Sequence, residues 1–244
     1  MKQAQLEKLQ SLIDGSHNIV FLGGAGVSTE SGIPDFRGKN GLYKQKTAYG
    51  SRVTPEYLLS SDCLYHEPEL FFDNYRKNLN CLDAKPNATH LYLKQLEDAG
   101  KLRAIITQNI DGLHQKAGSK NVFEIHGTLW DCHCTKCNRY YSCETIFHST
   151  GVPKCDCGGM IRPDIVLFGE LLPEDYTNSR SYMAQADLLI IAGTSLQVLT
   201  AVSLIDSFKG AHMVIINDAP TPLDDMAELV IRTPLGEVFS RLTA

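Results

Sequence analysis

Six short, almost continuously apolar runs constrain the fold more than any other feature of this chain. They lie at residues 18–22, 102–107, 122–125, 188–192, 213–217 and 229–232. Runs of this length without polar alternation read as strands covered by helices on both faces. Between and after them lie helical patterns at 89–99, 176–185, 200–208 and 235–242. Strands and helices in alternation predict an α/β fold, an open parallel sheet with helices on both faces. In such sheets ligands bind beyond the carboxyl ends of the strands, so the residues just after each run are the candidate site.

Two segments break the rhythm. Residues 39–85 contain no strong strand but carry Tyr43, Tyr49, Tyr57, Tyr65, Phe71, Phe72 and Tyr75, which suggests a helical and loop insert. Residues 127–162 hold most of the cysteines and little apolar periodicity. With 244 residues, 43% hydrophobic and 21% charged, the chain is long and apolar enough for a sizeable core. Its net charge of −5 argues against direct nucleic-acid binding, which needs a basic face. There is no apolar run of membrane-spanning length. The first fifteen residues place Leu6, Leu9, Leu12 and Ile13 at helical spacing and lack the uninterrupted apolar stretch of a signal peptide. The expected address is the cytoplasm.

Six of the eight cysteines (Cys132, Cys134, Cys137, Cys143, Cys155 and Cys157) crowd into one short stretch. A secreted disulfide framework would spread them along the chain; clustered pairs in a reducing compartment point to metal. Cys134-x-x-Cys137 and Cys155-x-Cys157 match a zinc ribbon, with four thiolates closing a tetrahedron and Gly158-Gly159 allowing the turn. A closed four-sulfur site has no open position, so the zinc is structural. Lys136, Arg139 and Lys154 are placed to offset its charge, and Cys132, His133 and Cys143 are rival ligands.

The first strand runs into Gly23-Gly24-Ala25-Gly26-Val27-Ser28-Thr29. Glycines there let the backbone approach a pyrophosphate, and a following helix offers N–H groups to the anion. The spacing departs from the dinucleotide fingerprint at Thr29, so a ligand-free tight turn competes with this reading. The continuation, Glu30-Ser31-Gly32-Ile33-Pro34-Asp35-Phe36-Arg37-Gly38, is too polar and stiff for a plain turn. After the 102–107 run come Gln108-Asn109-Ile110-Asp111-Gly112-Leu113-His114, amide and carboxylate groups able to recognise a carboxamide. After the 122–125 run comes His126-Gly127, and histidine suits general-base work near neutral pH. Gly193-Thr194-Ser195 and Asn217-Asp218 follow two later runs and fit phosphate or ribose. Polar, ligand-type residues thus end every central strand, which argues for a nucleotide site.

Taken together these motifs resemble the sirtuin family of NAD-dependent protein deacylases. The matching residues are Gly24-Ala25-Gly26-Val27-Ser28, Ser31 to Gly38, Gln108 to His114, His126-Gly127, the cysteine pairs, Arg162-Pro163-Asp164-Ile165-Val166-Leu167-Phe168-Gly169-Glu170, Gly193-Thr194-Ser195-Leu196 and Ile215-Ile216-Asn217. They come in the family's order over nearly the whole chain, as in its compact bacterial members. The resemblance implies a Rossmann-type large domain (1–38, 86–126 and 163–244) and a small domain made of the helical insert (39–85) and the zinc ribbon (127–162), with NAD in the cleft between them. It implies that Ala25, Thr29, Phe36, Arg37, Gln108, Thr194, Ser195, Asn217 and Asp218 contact NAD. Asn109, Ile110 and Asp111 would form the nicotinamide pocket, and His126 would be the base. An acylated peptide would lie as an added strand between Val166, Phe168, Gly169 and Glu170 on one side and the segment after Ser195 on the other. The implied reaction moves the acetyl group of an acetyl-lysine protein or peptide to ADP-ribose, releasing nicotinamide.

Thr200 stands where many members have proline. Asp73-Asn74-Tyr75-Arg76 is the nearest approach to the Tyr-x-x-Arg that grips acidic acyl groups, with Asp73 in the tyrosine position. An acid there would repel succinyl-lysine, so neutral acyl groups are expected to be preferred. The competing readings are a protein ADP-ribosyltransferase using the same NAD site, a non-enzymatic zinc-ribbon adaptor and a nicotinamide dehydrogenase. The chain is expected to act as a monomer.

Overall fold

The computed structural model describes residues 2–38, 41–42 and 53–244. Tyr43 and Tyr49, and with them most of the first third of the expected insert, lie outside the described residues. The strands in chain order are β1 (Ile19–Gly23), β2 (Leu102–Thr107), β3 (Val122–Glu124), β4 (Gly127–Cys134), β5 (Tyr140–Ser142), β6 (Ile161–Ile165), β7 (Leu188–Ala192), β8 (His212–Ile216) and β9 (Leu229–Ile231). The helices are α1 (Gln3–Gly15), α2 (Pro55–Leu58), α3 (Ser61–His66), α4 (Pro68–Asn78), α5 (Ala88–Asp98), α6 (Leu113–Lys116), α7 (Glu144–Phe147), α8 (Glu174–Gln185), α9 (Leu199–Ile205) and α10 (Leu235–Phe239). No helix among the described residues is long and apolar enough to cross a membrane.

All six apolar runs are strands of one parallel sheet, in the order β3-β2-β1-β7-β8-β9. Alternate residues feed two cores. Ile19, Phe21, Leu188, Ile190, Val214 and Ile216 pack under α1, α5 and α10. Val20, Leu22, Leu189, Ile191, Met213 and Ile215 pack under α8 and α9. Each large apolar side chain buried in this way stabilises the fold by about 1.5–3 kcal/mol, which is why neither face shows polar alternation. The exposed edge at β3 is blocked by the first turn of α8, where the Asp175 carboxylate accepts the Glu124 N–H at 2.9 Å.

A second, antiparallel sheet has the order β5-β4-β6. Its apolar face shares a third core with α2, α3, α4 and α7, containing Leu64, Phe71, Phe72, Tyr75, Leu129, Ile146 and the buried thiols Cys63, Cys81, Cys132 and Cys143. Phe71 stacks on Tyr75 and Tyr75 on Phe147, with centroids 5.8 and 5.3 Å apart. The aromatic-rich insert and the cysteine-rich segment thus cover each other. β6 runs across the expected boundary at residue 162.

The chain runs β1, β2, β3 toward one edge and β7, β8, β9 toward the other, so the order reverses between β1 and β7. That is the topological switch point, where a crevice opens at the carboxyl ends. The loops leaving these two strands are in direct contact: Gly24 N–H donates to Ala192 O (3.1 Å) and Gly26 N–H to Gly193 O (2.8 Å). A Cβ on Gly26 would stand 2.7 Å from Gly193 Cα, and Gly193 itself takes φ +61°. We expect Gly26→Ala to lower stability by about 1–3 kcal/mol through overpacking. A falling urea midpoint at constant m-value would report it, and an unchanged midpoint would contradict the packing role.

Candidate active site

Ala25, Thr29, Phe36, Arg37, Gln108, Asn109, Ile110, Asp111, His126, Val166, Phe168, Gly169, Glu170, Thr194, Ser195, Asn217 and Asp218 all border one cavity of about 1600 Å³ at the switch point. The residues that follow β1, β2, β3, β6, β7 and β8 therefore meet in one place.

The segment after β1 differs from expectation. In place of a helix it forms two short 3-10 turns, Ala25–Val27 and Thr29–Ser31. Its glycines allow approach to the β7 loop as well as openness toward the cavity: a Cβ on Gly24 would lie 2.7 Å from Thr194 Cβ. Thr29 Oγ1–H donates to Gly26 O at 3.0 Å. Two residues unassigned by sequence hold this loop. Asn87 caps α5 with its Oδ1 while its Nδ2 donates to Val27 O (2.8 Å) and Ser31 Oγ (3.0 Å). Asp35 Oδ1 accepts Gly38 N–H at 2.9 Å and closes the turn that presents Phe36 and Arg37. Asn87 carried a readable signal, an N-cap residue ahead of a helical pattern.

Behind the 3-10 turns lies a buried network. Ser28 Oγ–H donates to Asp111 Oδ2 at 2.6 Å, and Asn109 Nδ2 donates to Ser28 Oγ at 3.0 Å. Asp111 Oδ1 accepts Leu113 N–H at 2.9 Å. In the sequence Ser28 stands only within the glycine motif, yet its hydroxyl joins Asn109 and Asp111. Because the amide nitrogen of Asn109 is committed to Ser28, its oxygen is left as the acceptor. Burial raises the Asp111 carboxyl pKa, opposed by the hydrogen bonds from Ser28 and Leu113. Gln108 Nε2 donates to Thr194 Oγ1 at 3.0 Å and ties the β2 loop to the β7 loop.

His126 Nδ1 lies 3.1 Å from the backbone oxygen of Gln108. A carbonyl only accepts, so Nδ1 carries the proton and Nε2 holds the lone pair. Burial lowers the imidazole pKa, and the bond to Gln108 partly offsets it. The ring is therefore a neutral base at neutral pH. Gly127 takes φ +73°, and a Cβ there would meet Asp164 O at 2.1 Å, so only glycine lets β4 leave His126 at this angle.

The segments expected to flank a peptide are hydrogen-bonded into the fold. Val166 N–H donates to His126 O (2.9 Å), and Phe168 pairs with the chain around Ser60 through Leu59 O and Ser61 N–H, both at 3.0 Å. Glu170 borders the cavity and is also tied into its wall. Its carboxylate forms a bidentate pair with Arg162 (2.6 and 3.0 Å) and accepts Leu167 N–H (2.9 Å), so it shapes the wall. On the other wall, Leu196 takes φ +52°, a strained value for leucine, held by its N–H on Thr194 Oγ1 and by its buried side chain. Asn217 Nδ2 donates to Ala219 O at 2.7 Å, ordering the turn that carries Asp218.

Away from the cavity, the ligand atoms of Cys134, Cys137, Cys155 and Cys157 all lie within 4.8 Å of one another, the one such group among the described residues. Cys134 and Cys157 sulfurs are 3.4 Å apart, and Cys137 and Cys155 are 3.6 Å apart. A tetrahedron with Zn–S near 2.3 Å has edges of about 3.8 Å, so the four cysteines are positioned to bind a zinc ion. The Tyr141 hydroxyl donates to Cys155 and holds its thiol down to about 6. Gly158 takes φ +79°, and a Cβ on Gly159 would stand 2.5 Å from the Cys134 sulfur. The rival ligands Cys132, His133 and Cys143 do not join this group of converging ligand atoms, and His133 is held by Asp164. Arg139 pairs with Asp156 at 2.7 Å, and Lys136 reaches Cys157 O at 3.4 Å. We expect one zinc per chain, with Cys155→Ser losing it and Cys143→Ser retaining it. Metal analysis of the purified variants would check this, and zinc loss from Cys143→Ser alone would overturn the ligand set.

The Sir2 family profile matches residues 24–200. The chain is 47% identical over 241 residues to an NAD-dependent protein deacetylase of Clostridium perfringens, with 98% of each chain covered. A solved Sir2 variant with deacetylated p53 peptide and 3'-O-acetyl ADP ribose is similar with a TM-score of 0.88 at 39% identity, covering 97% of this chain and 96% of that one. A Sir2–p53 peptide–NAD+ complex is similar with a TM-score of 0.85 at 38% identity, covering 99% and 97%. By matched length and by identity over nearly its whole extent, the chain belongs to the Sir2 family.

Proposed function

We propose that the chain is an NAD-dependent protein lysine deacetylase that passes the acetyl group of acetyl-lysine to ADP-ribose and releases nicotinamide. The observation that carries this reading is the His126 imidazole, with its proton fixed on Nδ1, bordering the same cavity as the Ser28–Asn109–Asp111 network. The relatives support it: one is named a deacetylase, and the solved neighbours hold NAD+ or the acetylated ADP-ribose product beside a peptide.

The parallel sheet with its helices is the NAD-binding lobe, and the insert with the zinc ribbon is the second lobe. The hydrogen-bonding groups fit NAD in kind: amide and hydroxyl groups at the β7 and β8 ends for phosphate and ribose, an amide oxygen and a buried carboxyl for a carboxamide. Ala25, Thr29, Phe36, Arg37, Gln108, Thr194, Ser195, Asn217 and Asp218 hold the dinucleotide, and Asn109, Ile110 and Asp111 hold its nicotinamide. NAD supplies a sugar carbon that accepts the acyl oxygen once nicotinamide departs. Phe36 excludes water from that carbon. His126 Nε2 takes a proton from a ribose hydroxyl, which makes that oxygen the group that receives the acyl carbon. The peptide lies along Val166, Phe168 and Gly169. Since Phe168 already pairs with Leu59 and Ser61, strand pairing to the peptide falls to Gly169 and to the wall after Ser195.

The acyl group is neutral. Tyr75 is fully buried, and the Arg76 guanidinium is committed to Gly151 O (2.9 Å), Ser149 Oγ (3.3 Å) and Asp73 (3.1 Å), leaving no Tyr–Arg grip for a carboxylate. Acetyl-lysine peptide is expected to react at least about tenfold faster than the succinyl peptide, a factor equivalent to ~1.4 kcal/mol. Faster desuccinylation would refute this specificity.

His126→Ala is expected to cut kcat/KM by about 10²–10⁴-fold with NAD binding retained. The neutral imidazole is the active form and burial lowers its pKa, so activity is lost as pH falls through a value below 6.5 and is flat above it. Near-normal turnover in the variant, or an acid limb centred above 6.5, would remove His126 as the base.

A further inference from the structure

β4 does not pair evenly with β6. Gly127 faces Ile165 and Cys132 faces Pro163, so five steps along β4 match two along β6 and the residues between them bulge. The bulge turns two donors toward the loop after β2. Leu129 N–H donates to Ile110 O at 3.0 Å. The Trp130 indole Nε1–H donates to Asp111 O at 2.7 Å. Trp130 O in turn accepts Cys143 N–H at 3.0 Å, so this one residue ties the loop after β2 to the small sheet.

Further contacts fix the indole. The Lys116 ammonium lies 4.7 Å from the ring centroid and donates to Leu82 O (3.2 Å) and Ala84 O (3.1 Å). Gly112 takes φ +67°, and a Cβ there would stand 2.5 Å from Nε1. Only glycine admits the indole at this distance. A peptide plane that precedes glycine reorients easily, and the indole hydrogen bond opposes that for the plane between Asp111 and Gly112.

We propose that Trp130 is a positioning residue for the nicotinamide end of the cleft. It fixes the direction of the 111–112 peptide and thereby keeps the Asp111 side chain in the network with Ser28 and Asn109. Trp130 is not among the residues bordering the cavity, whereas Ile110 and Asp111 are, so it acts through them. This rests on the reading of that network as the nicotinamide pocket. The bulge also makes the zinc-bearing strand a direct support of the pocket, since Trp130 and Cys134 share β4.

The test is Trp130→Phe, which keeps an aromatic face for Lys116 and removes the N–H. NAD and nicotinamide affinities are read by calorimetry, with KM for NAD and for an acetyl-lysine peptide, and zinc content beside them. NAD and nicotinamide binding are expected to weaken about five- to tenfold, as for loss of one hydrogen bond. Peptide KM should stay within about twofold and zinc at one per chain. Trp130 is the single tryptophan, so in the unaltered protein nicotinamide is expected to shift its emission with the same constant that calorimetry gives. Unchanged NAD and nicotinamide affinities in zinc-replete Trp130→Phe would overturn the proposal, as would equal losses for NAD and peptide. A protein that binds NAD but turns over no acyl-lysine would fail the deacetylase reading while leaving Trp130 to be judged on binding. A protein that binds neither NAD nor nicotinamide would fail both.

Discussion

The molecule depends on a backbone contact between two loops: the glycine turn after β1 sits directly on the Gly193 loop after β7. The sheet reverses its strand order between these neighbours, and the reversal opens the crevice. The N–H of Gly24 and the N–H of Gly26 both donate to the β7 exit, which fixes one floor for the cavity. Gln108 bridging to Thr194 brings the β2 loop onto the same floor, and His126 hangs from the Gln108 carbonyl. Gln108, Thr194 and His126 are therefore located by a short chain of hydrogen bonds beside this contact.

The second support comes from the small sheet. β4 begins one residue after His126 and ends in a zinc ligand, and on the way it donates to the carbonyls of Ile110 and Asp111. The four-cysteine cluster, which lies outside the cavity lining, is thereby connected through a single strand to Ile110 and Asp111, which border the cavity. Lys116 adds a third link, from the end of α6 to the carbonyls of Leu82 and Ala84.

The large sheet was legible because its strands are buried on both faces, so burial alone writes an uninterrupted apolar run. All six predicted strands fall within a residue of the observed ones, and the ligating cysteines were readable from pair spacing, which is a local property. The residues that border the cavity were legible as strand ends, since topology forces those positions together. What was not legible depends on neighbours distant in sequence. Gly24 and Gly26 looked like ligand-approach glycines, but the atoms they must avoid belong to residues 193 and 194. Glu170 follows β6 on the cavity wall, and its bidentate pair with Arg162, eight residues earlier, leaves no mark in local periodicity. Trp130 gave no signal, because a bulge is set by pairing with β6 and leaves no periodicity of its own. The helix expected after β1 is replaced by 3-10 turns, where Asn87 from the start of α5 takes up the carbonyl of Val27.

The central claim is that one cleft couples nicotinamide release to acyl transfer from lysine. It is tested most directly by incubating the protein with NAD and an acetyl-lysine peptide, measuring nicotinamide release with and without peptide, and weighing the peptide by mass spectrometry. The account predicts release that depends on the peptide, with one acetyl group lost for each nicotinamide formed. A peptide that keeps its acetyl group and gains ADP-ribose, or nicotinamide release indifferent to the peptide, would contradict it.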